Sequence, residues 1–346
     1  MDLSLDEVSE AARDAVRAVC LGSQGQASPT RAREAEPLGH DPKFWTELCA
    51  IGLPGLGAPE ASGGGGADLL ALVAVAQELG AVMAPVPALE HMVAARLLAS
   101  VAPEHPDLAS VITGDLVITL APRVRNGVAL VVPSGAVADL VIAYDAGDLV
   151  TVRSKPSLRP LANLANLPIA DRDLAKGIRT VLLSGAAGQR AYEGAHREWL
   201  TLVAAWLAGL SKSALELGLR WVKERQQFGV PIGSFQAVQH GLADLPGPID
   251  GAGLLAAEAA WSLTTGTVSL TGATGEQLAL MAIVFAADTA RQVTSRVVQY
   301  HGGLGIAEEH DAQLYFRRAR GYPLLTGEPR LQLRELGTDL LAEGAV

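Results

Sequence analysis

The chain has 346 residues, 49% of them hydrophobic and 18% charged, so a sizeable core can be buried and wholesale disorder is excluded. Its 37 acidic and 27 basic side chains leave a formal net charge of −10, which repels polyanions and argues against a nucleic-acid partner. The two cysteines, Cys20 and Cys49, are too few for a disulfide framework and lack the clustered partners of a structural zinc site.

The N-terminus MDLSLDEVSEAARDAVRAV carries acids at helical spacing and no basic start before an apolar stretch, so no secretory signal is expected. From Leu3 to about Ser100 apolar residues recur at three- and four-residue spacing, as in PKFWTELCAIG and ADLLALVAVAQELG, which predicts helices. The loop between them holds four consecutive glycines, Gly63 to Gly66. It lacks the Lys-Ser/Thr of a phosphate loop and is expected to be a mobile connection.

The pattern changes after Pro106. LASVITGDLVITLAP, GVALVVPSG, ADLVIAYDAGDLVTVRS and GIRTVLLSG are short, rich in Val and Ile and punctuated by Gly, Pro and Asp, which predicts strands from about Val111 to Leu183. Ala146-Gly147-Asp148 is the clearest hairpin turn. From Gly188 the helical period returns in long segments joined by short loops, the pattern of an antiparallel bundle. The apolar part from Gly251 to Ala287 is interrupted by Glu258 and Glu276 among others, and no uninterrupted stretch of membrane-spanning length is expected. These features suggest a soluble protein of a reducing cytoplasm. The expected fold is α+β multidomain and mainly α, with a helical domain over 1–108, a small middle β domain over 109–187 and a helical bundle over 188–346.

Two C-terminal segments carry chemistry. In Arg225-Gln-Gln-Phe-Gly-Val-Pro-Ile-Gly-Ser-Phe-Gln236 a helix ends in a turn built from Phe228, Gly229 and Pro231, and Arg225 can offer a bidentate guanidinium to a phosphate or carboxylate. In Gln299-Tyr-His-Gly-Gly-Leu-Gly305 a helix end is followed by adjacent glycines that let a ligand approach the backbone. His301 is expected to pack or cap. His196 and His240 are expected at the surface, and Arg317-Arg318-Ala319-Arg320 on a solvated helix face.

In this order the two segments resemble the acyl-CoA dehydrogenase family, and so do Trp45, Gly52-Leu53, the stretch from Pro59 to Gly64 and Glu78-Leu79-Gly80. The resemblance implies an N-terminal helical domain, a middle β domain, here truncated, and a C-terminal four-helix bundle. It also implies FAD-dependent α,β-dehydrogenation of an acyl-CoA thioester, with electrons passed to an electron-transferring flavoprotein. By the same resemblance Arg225, Phe228, Gln299, Gly302 and Gly303 bind the adenosine and pyrophosphate parts of FAD seated mainly on a partner subunit, with Ile232 and Phe235 packing beside them.

The chain departs from the family where a base is needed. Aligned through Gly327 and Leu331-Gln332, Thr326 stands at the position of the family's catalytic Glu, and Trp199 stands at the alternative base position on the first bundle helix. A threonine hydroxyl does not take an α proton unaided. Glu328 and Glu198 are neighbouring carboxylates. The family's Thr-Glu-Pro, Gly-Ser-Asp and downstream Trp are missing between Val111 and Leu183. The chain thereby resembles the short, non-catalytic subunit of the α2β2 heterotetramers with which actinobacteria oxidise bulky steroid side-chain CoA thioesters, completing the FAD site of a larger catalytic subunit. The alternatives are a homomeric dehydrogenase with Glu328 or Glu198 as a relocated base, and a redox-inactive binding or scaffold homologue.

Overall fold

The computed structural model describes residues 1–22, 35 and 37–343. The N-terminal part contains α1 (Glu7–Leu21), α2 (Pro42–Ala50), α3 (Leu69–Ala81), α4 (Ala88–Val101) and α5 (Leu108–Thr113). Asp6, Asp41 and Asp68 begin α1 to α3 by accepting main-chain N–H groups that have no partner within the helix,. The sequence LASVIT at 108–113 is therefore helix α5, not strand, and Gly114 at φ 83° stops it. Periodicity over six residues does not separate a short buried helix from a strand.

The glycine-rich loop is ordered by its own main chain. Gly64, Gly65, Gly66 and Ala67 donate to Pro59, Gly55, Ala58 and Leu56 carbonyls at 2.9 to 3.1 Å, and a Cβ on Gly64 would strike the Ala58 carbonyl. Close approach, not freedom of movement, requires glycine there.

The middle part has two sheets. One, ordered β1-β4-β5-β7, is built from β1 (Ile118–Leu120), β4 (Leu140–Asp145), β5 (Asp148–Arg153) and β7 (Ile178–Ser184); β1 runs parallel to β4 and the other pairs are antiparallel. The second is β2-β3-β6, from β2 (Val124–Arg125), β3 (Val128–Val132) and β6 (Ala170–Asp173). Val132, Val141, Val150 and Leu174 form a small core of their own. The β4–β5 turn is the two-residue loop Ala146–Gly147, with φ 53° and 91°, the primed geometry whose twist suits a hairpin.

The C-terminal part contains α6 (Gly185–Glu224), a hairpin of β8 (Gln226–Gln227) and β9 (Val230–Pro231), then α7 (Gln236–Ala243), α8 (Pro246–Thr265), α9 (Gly275–His301), α10 (Ala312–Gly321) and α11 (Pro329–Glu343). Thr274 and Gln277 cap α9 reciprocally,. Helices α6, α8 and α9 pack against one another, and α3 also packs on α6. Small residues set the spacing: Ala256, Ala260, Ala286 and Ala290 are fully buried, and at Gly80 and Gly209 a Cβ would strike the Trp206 and Gln77 carbonyls of the facing helix,. By length and composition alone α6 is apolar enough to cross a membrane, yet 72% of its apolar window is buried inside this fold.

Candidate functional site

The end of α6 and the end of α9 meet. Trp221, one turn before Arg225, donates from its indole Nε1 to the Tyr300 carbonyl at 3.0 Å, and its ring stacks on His301 with centroids 4.7 Å apart. His310 closes the group edge-on against His301 at 4.5 Å. The Arg225 guanidinium lies 5.9 Å above the Trp221 ring. The two segments singled out in the sequence are thus joined through Trp221, which sequence reasoning missed; its place one helical turn before Arg225 was the available signal.

Beyond Glu224 the chain leaves the helix. Arg225 donates its N–H to Trp221 O and accepts from Ile232 N, both at 2.8 Å, which closes the β8–β9 hairpin. Its tip is Phe228 at φ 56° followed by Gly229 at φ 81°. Phe228 is 92% exposed and meets Phe235 edge to face at 6.2 Å. A bulky residue held in the left-handed region, with its ring in solvent, is a strained display of an apolar group. Ile232 packs against the core. Arg225 is exposed and has no ion pair among the described residues.

On α9, Gln299 is exposed while His301 is buried. His301 Nδ1 donates to Val297 O at 2.7 Å, which leaves Nε2 as an acceptor without a partner among the described residues. Burial holds the His301 pKa below the usual imidazole value,. Gly302, at φ 63°, caps the helix, and a Cβ on either Gly302 or Gly303 would meet nothing within 4 Å. Their own chain does not crowd these glycines, so a group from outside can reach the main chain there. An exposed unpaired arginine, an exposed amide and an open glycine pair fit the adenosine and pyrophosphate parts of FAD approaching from beyond the chain.

The two positions that the resemblance aligns with a base are buried. Trp199 is 0% exposed. Thr326 is buried, donates to Pro323 O at 2.8 Å and receives Gln332 Nε2 on its carbonyl at 3.0 Å. Beside Leu325, Trp206 and Tyr322 stack at 4.4 Å, and the space they share with Glu90, Ser134 and Arg318 is about 20 Å³, roughly one water. Glu90 accepts from Ser134 Oγ, and full burial pushes its pKa up. That void, which neither Trp199 nor Thr326 lines, is too small for a flavin ring or an acyl chain.

The two alternative carboxylates face different surfaces. Glu198 pairs with Arg96 at 3.3 Å; burial raises its pKa against the lowering by Arg96. Glu328 is exposed on a groove of about 740 Å³ lined by Met281, Phe285 and Leu333. Two minor expectations fail. His196 is half-buried and not a free surface residue: it lies between Tyr192 and Trp199, and burial lowers its pKa to about 4. Arg317-Arg318-Ala319-Arg320 is not a solvated face either. Arg317 donates to Leu164 O at 2.7 Å, Arg318 is buried, and Arg320 donates to Ser295 Oγ at 2.7 Å. Arg317 and Arg320 reach main-chain or hydroxyl oxygens of other elements that their own spacing does not reveal. His240 is exposed.

Models of the N-terminal and C-terminal domains of acyl-CoA dehydrogenase match residues 6–105 and 194–341. The chain belongs to the acyl-CoA dehydrogenase family, whose members are FAD-dependent oxidoreductases. Among individual proteins it is 32% identical to acyl-CoA dehydrogenase IpdE2 of Mycolicibacterium smegmatis, over 97% of this chain and 100% of that one. It is 30% identical to acyl-CoA dehydrogenase FadE27 of Mycobacterium tuberculosis, over 96% and 97% respectively. Its fold superposes on a chain of the ChsE4–ChsE5 complex from Mycobacterium tuberculosis with a TM-score of 0.84, at 24% identity over 99% of both chains. The steroid acyl-CoA dehydrogenase Tcur3481–Tcur3483 gives a TM-score of 0.81, at 27% identity over 98% of this chain and 99% of that one.

Proposed function

We propose that this chain is the non-catalytic subunit of a heteromeric, FAD-dependent acyl-CoA dehydrogenase. It lends Arg225, Phe228, Gln299, Gly302 and Gly303 to the adenosine side of FAD held mainly by a larger catalytic subunit, with Ile232 and Phe235 packing behind them. One asymmetry carries the reading. The adenosine-side elements face outward with unspent donors and open backbone, whereas Trp199 and Thr326, at the two base positions the resemblance assigns, are buried. Two structural neighbours are themselves two-protein assemblies, one a steroid enzyme, which supports an α2β2 assembly acting on a bulky or steroid side-chain CoA thioester. An electron-transferring flavoprotein would take the electrons, and two cysteines without a disulfide suit a reducing cytoplasm. The domain limits near 108 and 187 belong to this proposal.

In that assembly FAD would supply the hydride acceptor, and this chain's residues would place it. The Arg225 guanidinium would hold the pyrophosphate, and the Gly302–Gly303 turn would let the nucleotide lie against the main chain. The test is to purify the chain alone and with a larger homologue, recording flavin absorbance and acyl-CoA oxidation each time. A colourless, inactive single chain and a yellow, active complex are expected. A yellow and active single chain would sink the proposal in favour of a homomeric enzyme using Glu198 or Glu328.

A further inference from the structure

A cleft of about 450 Å³ opens between α4, the glycine-rich loop and the first turns of α6, a volume within the roughly 300–1,000 Å³ of ordinary small-molecule sites. Two arginines line it. Arg96 donates Nε to Glu198 Oε1 at 3.3 Å and Nη1 to the Gly57 and Ala67 carbonyls at 3.0 and 3.3 Å, so its Nη2 remains unspent among the described residues. Arg190 is exposed and makes no hydrogen bond or ion pair among them. Leu97, Val101 and Ala195 supply an apolar wall. Two guanidinium groups against the one carboxylate of Glu198 leave a surplus of one positive charge, in a chain whose net charge is −10.

We infer that this cleft binds a small monocarboxylate with an apolar body, its carboxylate held by Arg96 Nη2 and Arg190 and its body laid on Leu97, Val101 and Ala195. A planar carboxylate matches the guanidinium fork, and one surplus charge suits a monoanion better than a phosphate dianion. The glycine-rich loop sets one wall, and its hydrogen-bonded main chain holds Arg96 in place. Arg190 and Arg225 lie at opposite ends of α6, 35 residues and about 50 Å apart at helical rise. The site is therefore independent of the flavin reading.

The test is calorimetric titration of the full chain with hexanoate, against hexanol and sodium chloride at matched ionic strength as controls. Hexanoate should bind and raise Tm, and the controls should not. Arg190→Gln should weaken hexanoate about tenfold while leaving the unliganded Tm unchanged, because Arg190 has no hydrogen-bond or ion-pair partner among the described residues. Glu198→Gln should tighten it by removing the opposing charge. Absence of hexanoate binding, or equal affinity in Arg190→Gln, would overturn the site, and tighter binding of inorganic phosphate than of hexanoate would overturn the carboxylate assignment.

Discussion

Trp221 donates its indole N–H to the main-chain carbonyl of Tyr300 at 3.0 Å across 79 residues of sequence, and that bond joins the hairpin carrying Arg225 to the turn carrying Gly302. Replacing Trp221 with Phe keeps most of the stack on His301 and removes the donor. Urea unfolding should show a loss of about 1 kcal/mol, and the complex with the larger subunit should retain less flavin. Unchanged flavin content would mean that the two motifs hold their places without this bond.

Arg225 has no ion pair among the described residues, so its removal should cost the isolated chain almost nothing. In the complex, Arg225→Ala should lower FAD occupancy, and Arg225→Lys should recover only part of it because an ammonium lacks the fork. Absorbance of released flavin per complex measures both. A full complement of FAD in Arg225→Ala would remove this residue from the site.

Phe228 holds φ 56° with its ring 92% exposed, a conformation that asparagine adopts more readily. Phe228→Asn should therefore stabilise the isolated chain by up to about 1 kcal/mol. It should also weaken association with the partner, read by analytical ultracentrifugation. Such a trade marks a residue kept for contact and not for folding.

His91 reports on acid stability. Its Nε2 donates to Val111 O at 2.9 Å, and its Nδ1 accepts from Ile118 N at 3.2 Å, so the neutral form joins α4 to α5 and β1. Burial lowers its pKa from 6.5 to about 4. The unfolded chain therefore takes up the proton first as pH falls. Stability is fully present above pH 6.5 and is lost between there and about pH 4, by on the order of 3 kcal/mol. His196, likewise lowered to about 4 by burial, adds in the same direction. Urea midpoints measured across this range should fall with pH, and His91→Gln should flatten the fall.

Thr326→Ala should leave turnover of the complex nearly intact, because the hydroxyl only donates to Pro323 O and meets Gln332. A stability loss of about 1 kcal/mol is expected. Loss of turnover with an intact fold and full flavin would give Thr326 a chemical role.

Local pattern alone determined a good deal. The apolar period is set by residues three or four apart, so α3, α6 and α9 were legible, as was the β4–β5 hairpin. What the sequence left undecided depends on neighbours distant in the chain. LASVIT became helix α5 because it packs beneath α4 and the loop at Leu53, and the four glycines proved to be a close-packed turn because of carbonyls at Gly55, Leu56 and Ala58. Arg317, Arg318 and Arg320 look solvated by spacing, yet their partners or burial come from other elements. Only tertiary structure decided that Arg225 and Gly302 share one edge, that the space beside Trp206 and Tyr322 is filled, and that Glu198 and Glu328 face different surfaces. Periodicity tells which face of an element is apolar, whereas burial, hydrogen-bond partners and open space are properties of what that face meets.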